Sequence, residues 1–215
     1  TYNESVVIDT ANGTLTAADG ASPTINATGE RAVNIGASDV TVSGFEINAN
    51  DLGVVTNNSA DNAEVSGNTI KNAGTGFQTF GGASGVSVSN NEFDNNTYHI
   101  LLAGTGGGAT DYTIENNEFV NTNDAAIVLN GAAATLELGT ITVTENEFEA
   151  NTTGIAKSDQ GQALFTGTLD ATNNWWGDAG GPSGEGPGTD GASVSTDVNY
   201  SPWHDEDGND VTESE

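Results

Sequence analysis

Residues 85–93 read GVSVSNNEF and are one copy of a pattern that occurs six times along this chain. The other copies are DVTVSGFEI (39–47), NAEVSGNTI (62–70), DYTIENNEF (111–119), TITVTENEF (140–148) and TLDATNNWW (168–176). Consecutive copies begin 23 to 29 residues apart, a spacing that is typical of stacked supersecondary units. Such units bury their apolar faces against their neighbours, so the sequence predicts a solenoid.

Each copy contains a short run in which β-branched residues alternate with polar ones. This period of two predicts strands, and no segment shows helical periodicity of comparable length. A second apolar column supports the register and indicates at least two strands per coil. It consists of Val54, Phe77, Ile100, Ile127 and Ile155. Because parallel crossovers are nearly always right-handed, we predict an all-β, right-handed parallel β-helix of about seven coils, about 35 Å long.

Two further columns are assigned to structure rather than to function. Asparagines follow the first strand in five consecutive copies, where a bend favours the left-handed conformation that Asn tolerates and stacked amides can hydrogen-bond along the axis. This predicted ladder comprises Asn68, Asn91, Asn117, Asn146 and Asn174. The next inward column is expected to form a continuous core. It comprises Ile47, Ile70, Phe93, Phe119, Phe148 and Trp176.

The net charge of the chain restricts the classes of partner that it can bind. The 215 residues include 31 Asp and Glu against three Lys and Arg, a formal net charge of −28, and no Cys. Nucleic acid and acidic lipid are therefore poor partners, and disulfides and thiolate metal sites are excluded. A folded rod with this charge needs concentrated salt or bound cations, and the Debye length falls to about 3 Å near 1 M salt. The composition is typical of halophilic proteins, and no segment predicts membrane insertion.

Three regions are predicted along the chain. Residues 1–172 carry the coils, and residues 173–203, rich in Gly, Pro and Trp, are expected to cap the last apolar layer and its strand edges. Residues 204–215, HDEDGNDVTESE, are predicted to be an acidic tail or a linker.

The capping segment carries a specific resemblance. Its motifs are, in order, NNWWG (173–177), GP (181–182), VS (194–195), Val198, Tyr200 and PW (202–203). This order resembles the terminal segment of pectin-lyase-like right-handed parallel β-helix proteins, and TYNES at residues 1–5 resembles the end of their usual opening. The resemblance implies that an N-terminal coil is missing and that the protein is secreted or on the cell surface, as in halophilic archaea. It implies no particular activity, because the superfamily holds several enzyme classes and proteins without known chemistry.

A catalytic interpretation rests on few residues. A β-helix polysaccharide lyase needs a base, usually Lys or Arg, beside carboxylates. The best-placed set is Lys157, His99, Asp124 and Asp159. Against this set, an anionic polymer would approach a strongly negative surface, and a lone solvated lysine is the favoured explanation of Lys157. A glycosidase pair cannot be singled out, because an acidic solenoid supplies suitable carboxylate spacings almost anywhere.

Carboxylates recur in an outward column on three consecutive coils, at Glu92, Glu118 and Glu147. Like charges about 5 Å apart repel unless they are screened or bridged, and a protonated member is expected to have a raised pKa. Screening by monovalent cations and weak bridging by Ca²⁺ are the two interpretations, and no cofactor is required.

The C-terminal residues suggest a second cation site, formed by Asp205, Asp207 and Asn209. The match to an EF-hand loop is poor, because Asp210 stands where Gly is needed and the loop's final Glu is missing. A solvated acidic tail is the competing interpretation.

Seven sequons predict attachment points for N-linked glycans. They are Asn3, Asn12, Asn26, Asn57, Asn95, Asn151 and Asn199. In a chain so rich in Asn and Thr several arise by chance, but they fit a protein of the cell's outer surface.

An apolar stripe is expected on the outside of the second strand. The column alternates with the inward one and comprises Val55, Gln78, Leu101, Val128 and Ala156. An exposed stripe indicates either a protein partner or cover by the chain's own loops and cap.

The sequence thus favours a non-catalytic, extracellular β-helix module of a surface protein from a high-salt environment, acting as an adhesive, carbohydrate-contacting or spacer element. A polysaccharide or surface glycan is the expected ligand. A carbohydrate-active enzyme of the same fold and a virion spike or fibre subunit are the alternatives, and the sequence names neither the ligand nor the oligomeric state.

Overall fold

Three long sheets form the faces of a coil that winds through most of the chain. A computed structural model describes residues 1–27, 29–103, 109–131, 135–150, 152–158 and 164–213. All strand pairs within the three sheets are parallel, and each strand of a coil pairs with its counterparts in neighbouring coils. The predicted all-β, right-handed parallel β-helix is confirmed.

The three sheets take their strands in regular rotation along the chain. Sheet A contains Tyr2–Asn3, Thr24–Asn26, Glu46–Asn48, Thr69–Lys71, Glu92–Asp94, Glu118–Val120 and Glu147–Phe148. Sheet B contains Val6–Ile8, Arg31–Ile35, Leu52–Asn57, Thr75–Phe80, Tyr98–Ala103, Ala125–Asn130, Thr153–Lys157, Ser183–Gly184 and Ser193–Val194. Sheet C contains Thr14–Thr16, Thr41–Ser43, Glu64–Ser66, Ser87–Ser89, Tyr112–Glu115, Ile141–Thr144, Leu169–Asp170 and Val198–Asn199.

Two short pairs lie outside these sheets. Leu136–Glu137 pairs in parallel with Phe165–Thr166, and a single 3₁₀ turn follows at Leu138–Thr140. Trp203–His204 pairs antiparallel with Asp210–Val211.

The strands pair in the register that the sequence repeat predicts. In sheet C, Val65 pairs with Val88 and Val88 with Ile114, as the alignment of the copies predicts. In sheet B, Phe77 pairs with Ile100. Each coil also contains a third strand, so the cross-section of the β-helix has three sides.

The core is a continuous stack through the middle of the coils. The column Ile47, Ile70, Phe93, Phe119, Phe148 and Trp176 is buried throughout. Its rings approach one another as the stack proceeds, with centroid separations of 5.5 Å for Phe93–Phe119 and 4.6 Å for Phe148–Trp176. Offset and tilted ring pairs at these distances are favourable beyond the area that they bury.

The predicted asparagine ladder is present and buried. Asn91 Nδ2 donates to Asn117 Oδ1 at 3.1 Å, and Asn117 Nδ2 donates to Asn146 Oδ1 at 3.0 Å. Asn117 Nδ2 also donates to the Val88 carbonyl at 2.9 Å, so each rung binds backbone as well as the neighbouring amide. In the first aligned coil the Phe45 N–H donates to Asn68 Oδ1.

The left-handed residue of this bend is one position earlier than the sequence analysis placed it. Positive φ angles occur at Gly67, Asn90, Asn116, Glu145 and Asn173, each directly before a ladder asparagine. The ladder position needs the Asn side chain for its hydrogen bonds, and the preceding position needs a residue that tolerates φ near +55°. The two requirements fall on adjacent residues rather than on one.

The C-terminal segment extends sheets B and C beyond the strands Thr153–Lys157 and Leu169–Asp170. Trp203 is 3 % exposed and its Nε1 donates to the Ala179 carbonyl at 3.2 Å. Gly181 has φ +85°, and a Cβ there would lie 2.7 Å from Trp203 Cε2, so only glycine admits the indole so closely. The described part of the region predicted as a tail folds back instead, because residues 203–211 form a hairpin and the Tyr200 hydroxyl donates to the Glu213 carboxylate.

Of the two interpretations of the sheet B stripe, burial supports cover by the chain itself at Val55 and Val128. Val55 is fully buried and Val128 is only 7 % exposed, while Gln78, Leu101 and Ala156 are half-buried. The cover comes from the chain itself. Beside Val55, Asn34 accepts hydrogen bonds from Arg31 and Asn57, and Arg31 also stacks 4.7 Å above the Phe80 ring.

Candidate functional site

A second asparagine ladder runs along the outside of the rod, at the end of sheet A. Each Nδ2 donates to the Oδ1 of the preceding coil, at 2.8 Å for both Asn72 to Asn48 and Asn95 to Asn72. The series of six amides is Asn3, Asn26, Asn48, Asn72, Asn95 and Asn123. In the buried ladder the donors point the opposite way, toward the next coil.

The outer ladder was not predicted from the sequence. The ladder asparagines follow the inward apolar residue of each coil, but at different distances along the chain. Asn26 and Asn48 come one residue after it, Asn72 and Asn95 two, and Asn123 four, so a strict alignment does not reveal them. Asn72 and Asn95 have φ of 59° and 53°, and Asn tolerates this conformation at the bend between sheets A and B.

An open groove of about 810 Å³ lies over this ladder, and we call it the amide groove. It extends across four successive coils, from Lys71 to Thr152. Most of its lining is amide or carboxylate, including Asn72, Asn95, Asn121, Asn123, Asp94 and Glu149. No aromatic residue lines it among the residues described, so any ligand there would be held by hydrogen bonds.

Hydrogen bonds fix the side chains of the groove. Asn121 Nδ2 donates to Asp94 Oδ1 at 2.7 Å, and the Asn121 backbone N–H donates to Glu149 Oε2 at 2.7 Å. Lys71, the cation of the groove, forms an ion pair with Glu46 at 2.9 Å. Because Lys71 is already neutralised, Asp94 and Glu149 give the groove a net negative charge.

His99 lies behind the wall of the groove and belongs to the core. Its imidazole is fully buried and stacks on Phe119, with the ring centroids 5.7 Å apart. Its row in sheet B is otherwise occupied by small residues, and a Cβ on Gly76 would lie 2.7 Å from the His99 carbonyl and 2.8 Å from Phe93 Cδ1. The imidazole therefore fills a corner of the coil rather than a solvent-facing site.

The hydrogen bonds of His99 define its neutral form. Asn96 Oδ1 accepts from the Ala73 N–H, which orients the Asn96 amide so that its Nδ2 donates to His99 Nδ1 at 3.1 Å. His99 Nε2 consequently carries the proton and donates to Thr122 Oγ1 at 2.6 Å. Burial lowers the pKa of His99 to about 4, against a smaller opposing effect of Asp94.

Lys157 anchors the capping segment. It lies in the same row of sheet B as the buried Leu129, and its Nζ emerges to contact Asp197 Oδ2 at 2.5 Å and the Phe165 ring at 5.1 Å. Relative to His99, this row is three residues along the strand and two coils further on, or roughly 10 Å in each direction. The structure therefore does not bring Lys157 and His99 together.

The remaining members of the catalytic hypothesis are also separate. Asp124 is exposed and is hydrogen-bonded to the Tyr98 hydroxyl, which raises the pKa of that tyrosine. Asp159 lies outside the described residues.

The carboxylate column is formed as the sequence predicted. Glu92, Glu118 and Glu147 pair in register on adjacent strands of sheet A and are exposed. Partial burial raises the pKa of Glu118, and the charges of Glu147 and Glu92 raise it further by smaller amounts. No group of three or more His, Asp or Glu suited to holding a metal ion occurs in the described part of the chain.

Asp205, Asp207 and Asn209 form the turn of the C-terminal hairpin. Asp205 Oδ1 accepts from the backbone N–H groups of Asp207 and Asn209, at 3.0 and 2.8 Å, and from Asn209 Nδ2. Hydrogen bonds from Asn209 lower the pKa of Asp205. In this turn the carboxylate serves as an internal acceptor, and a cation there remains a prediction.

The sequons fall into two structural groups. Asn26, Asn57 and Asn95 use Nδ2, the atom to which an N-linked glycan attaches, as a hydrogen-bond donor to another asparagine. Asn3, Asn12 and Asn199 are exposed and, within the described ranges, donate no hydrogen bond from Nδ2. Asn151 lies outside the described residues.

Comparison with known families agrees with the geometry. The model of the family described as "Right handed beta helix region" matches residues 10–170. The chain belongs to this family. Among the described residues of this β-helix protein, no helix has the length and apolar character needed to cross a membrane.

Known proteins give little beyond the fold. No curated protein matches the β-helix chain. A solved structure similar to it is that of the Dettilon tailspike protein (gp208), with 12 % sequence identity and a TM-score of 0.42. The match covers 93 % of this chain and 47 % of the tailspike chain, so the β-helix spans about half of that protein's length.

Proposed function

We propose that this β-helix is a non-catalytic, carbohydrate-contacting module of an extracellular surface protein, and that the amide groove is its contact surface. The observation that carries the proposal is the outer asparagine ladder, which presents one amide on each of three successive coils of the groove, at Asn72, Asn95 and Asn123. A site that repeats at about 4.8 Å along one line suits a linear polymer better than a compact small molecule.

The chemistry of the lining supports a sugar ligand. Asn72 and Asn95 each use one Nδ2 hydrogen in the ladder and retain a second, and each oxygen retains acceptor capacity. Asn123 uses Nδ2 for two bonds, to Asn95 Oδ1 and to the Asn96 carbonyl. Sugar hydroxyls both donate and accept hydrogen bonds, so they match a surface of amides and carboxylates. Ladder bonds hold these side chains in place before a ligand arrives, which lowers the entropy cost of binding.

The separation of the candidate catalytic residues supports binding over catalysis. His99 is buried and hydrogen-bonded at both ring nitrogens, and Lys157 is engaged by Asp197 and Phe165. Both side chains have structural partners that explain their presence.

A saline extracellular setting is part of the proposal. The net charge of −28 and the column of Glu92, Glu118 and Glu147 favour a medium in which neighbouring carboxylates are screened. The sequons and the absence of Cys from the sequence are compatible with a surface protein of such a medium.

A glycan array probed with the purified protein at about 3 M and about 0.5 M NaCl tests the proposal. We expect binding to at least one extended glycan without release of cleaved product. The variant Asn95→Ala should weaken binding, whereas Asn62→Ala, which removes an exposed asparagine from the bend before sheet C, should not. Binding to no glycan would contradict the proposal and favour a spacer, and turnover would favour an enzyme.

A further inference from the structure

We infer that the ligand of the amide groove is an amino-sugar polymer whose chain lies parallel to the axis of the rod, and that polyuronates are rejected. This inference rests on the proposed function and deepens it. It is carried by the distribution of charge and by the direction of the groove.

The charged groups of the groove favour a cationic ligand. Asp94 and Glu149 each use one oxygen to hold Asn121 and keep the second oxygen as an acceptor. Lys71, which could attract an anionic sugar, is paired with Glu46. A sugar ammonium would form charge-assisted hydrogen bonds with the two carboxylates, whereas a uronate carboxylate would meet like charge.

The position of the two carboxylates sets the direction of the ligand. Asp94 belongs to the Glu92–Asp94 strand of sheet A, and Glu149 follows the strand Glu147–Phe148 two coils further on. The strands that carry them are therefore about 10 Å apart along the axis. Both carboxylates accept hydrogen bonds from Asn121, which lies on the coil between them, and the amides of Asn95 and Asn123 also line the groove. A chain parallel to the axis meets both carboxylates, and a chain across the rod meets one.

The extent of the groove sets the length of the ligand. Four successive coils contribute to the lining, and their three intervals span about 14 Å. Affinity should therefore rise with chain length while new units reach new coils, and then stop rising.

Isothermal titration with three matched hexasaccharides tests the inference. The probes are glucosamine, glucose and galacturonate oligomers, at a pH where the amine is protonated. At about 0.5 M NaCl we expect the glucosamine oligomer to bind about five- to tenfold more tightly than the glucose oligomer, with the galacturonate oligomer weakest. The difference should shrink at about 3 M NaCl, because salt screens it.

Charge-neutralising variants separate the groove from the overall negative charge. Asp94→Asn and Glu149→Gln should each reduce the preference for glucosamine over glucose. Glu92→Gln removes the same charge from the same sheet outside the groove and should leave the preference unchanged.

The outcomes distinguish the two proposals. Equal or tighter binding of the galacturonate oligomer would overturn the inference while leaving a carbohydrate-contacting function intact. An unchanged preference in both groove variants would also overturn it, because the preference would then come from overall charge. Failure of all three probes, together with an array that shows no binding, would overturn the proposed function itself.

Discussion

His99 Nε2 lies 2.6 Å from Thr122 Oγ1, and this hydrogen bond joins a buried core residue to the wall of the amide groove. The imidazole packs beside both the Phe93 and Phe119 rings, and Asn96 donates a hydrogen bond to its Nδ1. Groove and core are thus coupled through one neutral histidine, and the charge state of that histidine affects the stability of the coil.

The coupling predicts a loss of stability in mild acid. Burial lowers the pKa of His99 from 6.5 to about 4, so between these values the unfolded chain binds more protons than the folded one. The free energy of unfolding should therefore fall as the pH falls through this window, by roughly 3 kcal/mol from this residue. His99→Gln should flatten the slope in urea titrations at a series of pH values. Equal slopes in the wild type and His99→Gln would contradict the assignment.

The buried ladder predicts a large local cost of truncation. Asn117→Ala removes the acceptor of the Asn91 backbone N–H and the donor to Val88 and Asn146, all in a buried setting. We expect a loss of about 3 kcal/mol or more in the free energy of unfolding, measured by denaturant titration in concentrated salt.

Its neighbour provides a matched control for that variant. Asn116 is exposed and has φ of 55°, so Asn116→Ala should cost only about 1 kcal/mol and Asn116→Gly little or nothing. The account fails if Asn117→Ala is no more destabilising than Asn116→Ala.

The carboxylate column predicts a stabilising substitution. The pKa of Glu118 is raised in the folded state, so this group favours folding at low pH and loses that effect as the pH rises through its folded pKa. At neutral pH and low salt, Glu118→Gln should raise the free energy of unfolding by about 0.5–1 kcal/mol. Added NaCl should reduce this gain, because salt screens the repulsion from Glu92 and Glu147 but not the effect of burial.

A carboxylate with different neighbours controls for charge alone. Glu115 pairs with Ser89 and Thr144, so Glu115→Gln should give a smaller gain. If millimolar Ca²⁺ stabilises the wild type where an equal ionic strength of NaCl does not, the column bridges divalent ions and simple screening is wrong.

Lys157 predicts a structural rather than a catalytic phenotype. Lys157→Met removes the ion pair with Asp197, which ties the strand Thr153–Lys157 to the capping segment, and the contact with the Phe165 ring. We expect a loss of about 1–2 kcal/mol in stability and faster hydrogen exchange around Ser193–Val194, with glycan affinity unchanged. Loss of glycan binding in a folded Lys157→Met protein would instead support a functional role for this lysine.

The sequence predicts the features that repeat at a fixed position. The core column and the buried ladder repeat in strict register because identical packing and hydrogen bonding recur in each coil, as at Phe119 and Asn117. The outer ladder escaped notice because its spacing shifts at the bend after sheet A. At Val55 the period of two gave the direction of the side chain but not its burial, which depends on tertiary surroundings that no local pattern indicates.

Single-residue roles were the least predictable part of the site. His99 and Lys157 are rare residue types in this chain, and rarity suggested chemistry. Their roles depend on tertiary partners far away in sequence, Thr122 for His99 and Asp197 for Lys157, which no local pattern indicates.

The most direct test of the account is the ¹⁵N–¹H spectrum of the asparagine side-chain amides, recorded while the tightest-binding of the three hexasaccharides is added. The account predicts shifts at Asn72, Asn95, Asn121 and Asn123, with the buried amides of Asn91 and Asn117 far less affected. Saturable shifts confined to another face, such as the Trp175 indole and its surroundings, would show that the amide groove is not the contact surface.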